Sequence, residues 1–91
     1  MRTIWKYQIP IQDYFELELP KDAEILTVQM QYGIPCLWAL VDPTAQQEFR
    51  LFRLLEIGHP GETLNLDYIG TVQQAEGQLI WHVFEILREK S

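Results

Sequence analysis

A chain of 91 residues, 47% of them hydrophobic and 12% aromatic, has apolar mass for one packed core and none for a second, which excludes a disordered chain. A domain of this size buries roughly 60–65% of the surface its unfolded chain exposes. The formal net charge of -6, from 13 acidic against 7 basic residues, excludes the basic stripe of a phosphate-backbone binder, so no nucleic-acid polymer is expected as a partner.

Arg2 to Ile9 alternates and is rich in aromatic and β-branched residues, which predicts a strand that stops at Pro10 or runs along an edge. From Tyr14 to Leu19 the alternation is sharper: Phe15, Leu17 and Leu19 face inward while Tyr14, Glu16 and Glu18 face water. Pro20 to Ala23 reads as a turn. Ile25 to Gln31 is a third strand, with Leu26, Val28 and Met30 on one face and Ile25, Thr27, Gln29 and Gln31 on the other. Tyr32-Gly33 is a tight connection into the run Ile34 to Pro43, which is apolar on both alternating faces and fenced by Pro35 and Pro43. Such a run predicts a central strand covered on both sides, the spine of the fold.

The stretch after the spine is ambiguous. As a helix over about 45–57, Thr44 caps it, Ala45, Phe49 and Phe52 share a face, and Gly58 stands at the C-terminal cap. As a strand over Glu48–Ile57, it is bounded by turn residues and pairs with the spine next to it, as sequential strands usually do. The strand is the favoured reading. Gly58-His59-Pro60-Gly61-Glu62 is the strongest loop signal, followed by strands at Tyr68–Gln73 and Gln78–Ile86 and a charged tail at Leu87–Ser91 that is expected to fray. The expected fold is therefore a single all-β, mainly antiparallel domain over residues 1–91, a small barrel or sandwich of six to seven short strands, with α+β as the alternative. The spine and the last strand are apolar on both faces, and the surplus apolar surface predicts a homo-oligomer.

One cysteine makes no internal disulfide, and the opening Met-Arg-Thr-Ile-Trp is unlike a secretory signal. The longest apolar run, Cys36 to Val41, is too short for a membrane-spanning helix, so no membrane partner and a cytoplasmic location are expected.

Trp5-Lys6-Tyr7, the run from Ile25-Leu26-Thr27-Val28-Gln29 through Pro35-Cys36-Leu37-Trp38-Ala39-Leu40-Val41-Asp42-Pro43, Gly58-His59-Pro60, Tyr68-Ile69-Gly70-Thr71 and Trp81-His82-Val83-Phe84-Glu85 together resemble a family of small, mostly uncharacterised proteins encoded by bacteriophages and prophages. The resemblance spans nearly the whole chain. It implies phage or mobile-element origin and action in a bacterial cytoplasm, and it implies no particular biochemical role. Family members look to carry a basic strand-like segment where Phe49–Ile57 stands, which supports the strand there. This chain is more apolar at that place and extends past Glu85.

Chemistry-bearing residues are few. Cys36 lies in an apolar strand with no histidine nearby and reads as a small hydrophobe rather than a nucleophile. His59, between Gly58 and Pro60, is the better functional candidate because loop side chains are available to ligands. His82 reads as a hydrogen-bonded or interface histidine, and two histidines and one cysteine at this spacing make no metal site. On a strand Arg50 and Arg53 point to opposite faces. Arg53, on an otherwise apolar face, requires an anion, either a ligand phosphate or an internal carboxylate such as Glu85 or Asp42. No triad, carboxylate pair, phosphate loop or cofactor motif is present, so an enzyme is not expected, and a small hydrolase using His59 is a distant third reading. The expected function is a non-enzymatic binding protein that counters host defence, either by inhibiting a host protein or by sequestering a small anionic, nucleotide-like ligand. In the latter case Arg53 meets phosphate, His59 makes a polar contact, and Trp38 or Trp81 stacks on the ring, at a subunit interface. The alternative is a structural or accessory assembly protein with no small ligand.

Overall fold

The computed structural model describes residues 1–56 and 65–87. Seven strands follow in order: β1 (Thr3–Gln8), β2 (Tyr14–Pro20), β3 (Glu24–Gln31), β4 (Ile34–Val41), β5 (Gln47–Glu56), β6 (Leu66–Gln74) and β7 (Leu79–Ile86). A single 3-10 turn at Ala75–Gly77 joins the last two. The strands form two antiparallel sheets, three-stranded in the order β1-β4-β3 and four-stranded in the order β2-β5-β7-β6. They pack as a sandwich, not a closed barrel, and the stretch that could have been a helix is β5. The expected loop at Gly58–Glu62 with His59, and the tail beyond Leu87, lie outside the described residues.

The spine is β4, central in its sheet. It enters through a two-residue hairpin in which Tyr32 and Gly33 both have positive φ, 51° and 78°, the backbone that matches the twist of the flanking strands. Pro35 is tolerated because of parity. The Ile9 N–H donates to the Pro35 carbonyl at 2.9 Å, so the odd residues of β4 bond toward β1, and β1 ends at Gln8 before an N–H from position 35 is required. After Val41 the chain leaves this sheet. Both the amide and the hydroxyl of Thr44 donate to Asp42 Oδ1, at 3.0 and 2.7 Å, and these bonds, the hydroxyl's first, hold the Asp42 carboxyl below its ordinary pKa. β5 therefore does not pair with the spine as the sequence suggested; it pairs with β2 and β7 in the opposite sheet.

The core is the set of inward positions of both sheets. Leu37, Ala39 and Val41 of β4 face Phe15 and Leu19 of β2, Phe52 and Leu54 of β5, Val72 of β6, and Trp81 and Val83 of β7, all buried. Phe15 stacks on Phe52 with centroids 5.2 Å apart. The face expected for β3 is corrected by a bulge. The register slips between Ile25 and Thr27, so Ile25 and Val28 both reach the core and the extra residue, Leu26, is 43% exposed. A second bulge lies in β6 between Tyr68 and Gly70 and turns Ile69 onto the core. Where these strands meet, a Cβ on Gly70 would stand 2.7 Å from Val28 Cγ2.

Two outcomes follow from this packing. Gly70→Ala forces a stiff β-branched neighbour aside and is expected to cost about 1–3 kcal/mol in denaturant unfolding. Adding Val28→Ala is expected to cost less than the sum of the two single changes. Tyr7 faces inward with its hydroxyl buried and unbonded among the described residues, and burial pushes the phenol above its ordinary value of 10.0. A pKa raised by folding contributes stability below the unfolded value that is lost as pH rises through the folded one. Tyr7→Phe is therefore expected to leave stability at neutral pH unchanged or raise it by up to about 1 kcal/mol, and to soften the alkaline loss, both read from unfolding curves across pH.

Candidate functional site

Three exposed aromatic residues, Tyr14, Phe49 and Tyr68, stand on outward positions of the four-stranded sheet. Tyr14 lies opposite Arg53, Arg53 opposite Phe84, and Phe84 opposite Tyr68, so one row of side chains crosses all four strands. The Arg53 guanidinium carbon sits 4.8 Å from the centroid of the Tyr14 ring, and Tyr68 meets Phe84 edge-on with centroids 5.5 Å apart. The next row is Leu55, His82 and Thr71. The Tyr68 hydroxyl bonds to Thr71 Oγ1, which lies 3.0 Å from His82 Nδ1. Beyond the aromatic row, Phe49 and Leu51 lie opposite Glu18 and Glu16. Tyr14, Phe49 and Tyr68 are 58%, 56% and 57% exposed.

The rings and the guanidinium lie across a sheet rather than around a cavity, and small-molecule sites are concave. The Tyr68–Thr71–His82 chain can run in either direction while the imidazole is neutral, and it fixes the ring without presenting a nucleophile. Among the described residues no group of three or more histidine, cysteine or acidic side chains is placed to hold a metal.

Of the four residues expected to line one ligand site at a subunit interface, the three described, Arg53, Trp38 and Trp81, stand in different layers of the chain. Arg53 is on the outer face of the four-stranded sheet. Trp38 is on the outer face of the other sheet, beside Ile4, Leu26, Thr27 and Gln29 around an apolar cleft of about 290 Å³. Trp81 points between the sheets, buried, with Nε1 donating to Gln74 Oε1 at 3.0 Å. His59 lies outside the described residues. Cys36 is buried, its thiol 3.5 Å from the Ile34 carbonyl. Sequence reasoning left Tyr14, Phe84 and Thr71 out of the site. The alternation of β2 carried part of that signal, because it set Tyr14 on an outward position.

Arg50, not Arg53, takes Glu85. Its Nε and Nη2 each lie 2.6 Å from a carboxylate oxygen of Glu85, and Nη1 donates to the Ala23 carbonyl at 2.6 Å. The fork fills a bidentate acceptor, and the Glu85 hydrogen bond raises the Arg50 pKa further above its already high value. The parity is that of Phe52 and Val83, so the pair closes one end of the sandwich from inside. Next to it, Ala23, Ile25, Asp67 and Ile69 line a cleft of about 320 Å³. Asp42, the other carboxylate considered for Arg53, is occupied by Thr44.

Seven antiparallel strands in two sheets, with an aromatic row on the outer face of the wider one, define a small β-sandwich module. The chain belongs to the family described as a domain of unknown function (DUF7352), whose model matches residues 1–91. No curated protein and no solved structure matches it. Among the described residues no helix is long and apolar enough to cross a membrane.

Glu85→Ala strands the Arg50 guanidinium in a partly buried position and is expected to cost about 1–3 kcal/mol, between the values for surface and buried pairs, in chemical unfolding. Arg50→Met with Glu85→Leu, which removes both charges and keeps the volume, is expected to cost less than Glu85→Ala alone.

Proposed function

We propose that the chain is a small non-enzymatic binding protein, phage- or prophage-encoded, that acts in the bacterial cytoplasm by occupying the surface of a host protein and so counters a host defence. The observation that carries the binding half is the outer face of the four-stranded sheet, where Tyr14, Phe49 and Tyr68 stay more than half exposed around Arg53 and His82. Aromatic and arginine side chains on a flat, rigid sheet are the composition of protein-interface cores. The origin and the target class rest on the resemblance of the sequence motifs to phage proteins. Rings and a guanidinium laid across a sheet rather than around a cavity favour the protein-inhibiting reading over sequestration of a small anion.

The test is quantitative pull-down of bacterial lysate proteins on immobilised wild type and two double variants. Phe49→Ser with Tyr68→Ser is expected to weaken capture of a specific host protein by about tenfold or more, as loss of interface anchors does. Ile4→Ser with Leu26→Ser, on the opposite face, is expected to leave capture intact. Equal capture by all three overturns the assignment to this face. Thermal shift of the wild type by cyclic or linear nucleotides, in the absence of any captured protein, would favour sequestration instead.

A further inference from the structure

We infer that a second copy of this chain pairs with the first, antiparallel and edge to edge along β1, with Trp5 at the two-fold axis. Among the described residues the two sheets leave four edge strands, and three of them are blunted. β2 bears Glu16 and Glu18 and ends in Pro20. β3 and β6 are interrupted by their bulges and close on each other at Val28 and Gly70. β1 has no bulge, proline or acidic residue between Thr3 and Gln8. An edge of this kind is a ready template for another strand. Its lysine does not guard it, because Lys6 Nζ reaches back across its own sheet to Gln31 Oε1 at 2.6 Å.

The register follows from hydrogen-bond parity and charge. Ile9 bonds to Pro35, so Thr3, Trp5 and Tyr7 bond toward β4, and the N–H and C=O groups of Ile4, Lys6 and Gln8 point to the open edge. An added antiparallel strand must therefore set even residues opposite even residues. Centring the axis on Lys6 would place two ammonium groups opposite each other, and centring it on Ile4 would place Lys6 opposite Arg2. Centring it on Trp5 sets Ile4 opposite Lys6, Arg2 opposite Gln8 and Thr3 opposite Tyr7, with no like charges paired. Axes farther toward either end shorten the ladder. Trp5, 39% exposed although on the inward side of β1, then meets its own copy. The result is a continuous six-stranded sheet, an isologous contact that closes on itself.

The experiment is light scattering coupled to size-exclusion chromatography on the full chain, together with cysteine cross-linking. The native chain is expected to run as a dimer from micromolar concentration upward; a monomer throughout overturns the proposal. Ile4→Pro deletes an outward N–H and leaves the β1–β4 ladder intact, so it is expected to give a folded monomer by circular dichroism; a folded dimer overturns the proposal. Trp5 opposite Trp5 is a non-hydrogen-bonded pair, whose Cα atoms stand about 4.5 Å apart, within disulfide reach. Trp5→Cys is expected to oxidise to a covalent dimer while Gln8→Cys, opposite Arg2, does not. Failure of Trp5→Cys to cross-link overturns the register even where Ile4→Pro does not fold.

Discussion

The two sheets of this sandwich differ in width, and the side on which they are pinned decides which surfaces remain. The pin is the approach of β3 to β6, where Gly70 leaves room for the Val28 side chain. Each strand carries one extra residue beside the contact, Leu26 in β3 and Ile69 in β6, and a bulge sharpens the local twist. Twist brings the edges together, the missing Cβ lets them touch, and the extra residues divide, Ile69 to the core and Leu26 to the outside. On the far side β1 has no such close partner strand among the described residues, and Trp5 stays 39% exposed on a face that elsewhere is core.

Electrostatics follow the same geometry. Arg50 stands on an inward position where β5 enters the sheet, near Asp22, Glu48 and Glu85, and all three carboxylates raise its pKa. Bidentate bonding to Glu85 and a third bond to Ala23 O tie β5, β7 and the β2–β3 turn at one end of the core. Three residues on, Arg53 has the opposite parity and enters the aromatic row instead. Two arginines of one strand thus serve different layers, one closing the sandwich and the other standing on its surface.

Most strand positions were legible because alternation is a local signal. Phe15, Leu17 and Leu19 against Tyr14, Glu16 and Glu18 fixed the faces of β2, and Tyr32-Gly33 fixed the hairpin. The bulge in β3 was not legible, since one inserted residue moves every later side chain to the other face without changing composition. The exchange of β5 into the second sheet was hidden for a different reason: pairing is non-local, and the short turn after Asp42 serves equally to return along β4 or to cross. Doubly apolar strands hide their own orientation. Trp38 and Trp81 looked alike in sequence, yet one faces outward and the other is core, because in β4 and β7 both parities are hydrophobic. The site residues inherited that ambiguity. Arg53 was singled out, but Glu85, one of the carboxylates suggested for it, bonds Arg50, whose parity it shares, and only the register between β5 and β7 reveals this.

The two outer faces are not equivalent, and the difference bears on what each can do. On the three-stranded sheet Ile4, Leu26 and Trp38 line an open, largely apolar cleft, and Lys6 Nζ donates to Gln31 Oε1 on the same sheet. Such a surface has little to set orientation. The four-stranded face carries a cation held over a tyrosine ring, an edge-on aromatic pair and a threonine that bonds both Tyr68 and His82, all on registered strands. These groups are directional, and each holds its neighbour in place before any partner arrives. Pre-ordered polar and aromatic groups lower the entropy lost on binding and penalise a misaligned partner with unpaired hydrogen bonds. On the proposed binding role the partner surface is this face, because β5 and β7 are each paired on both sides and hold its side chains in register.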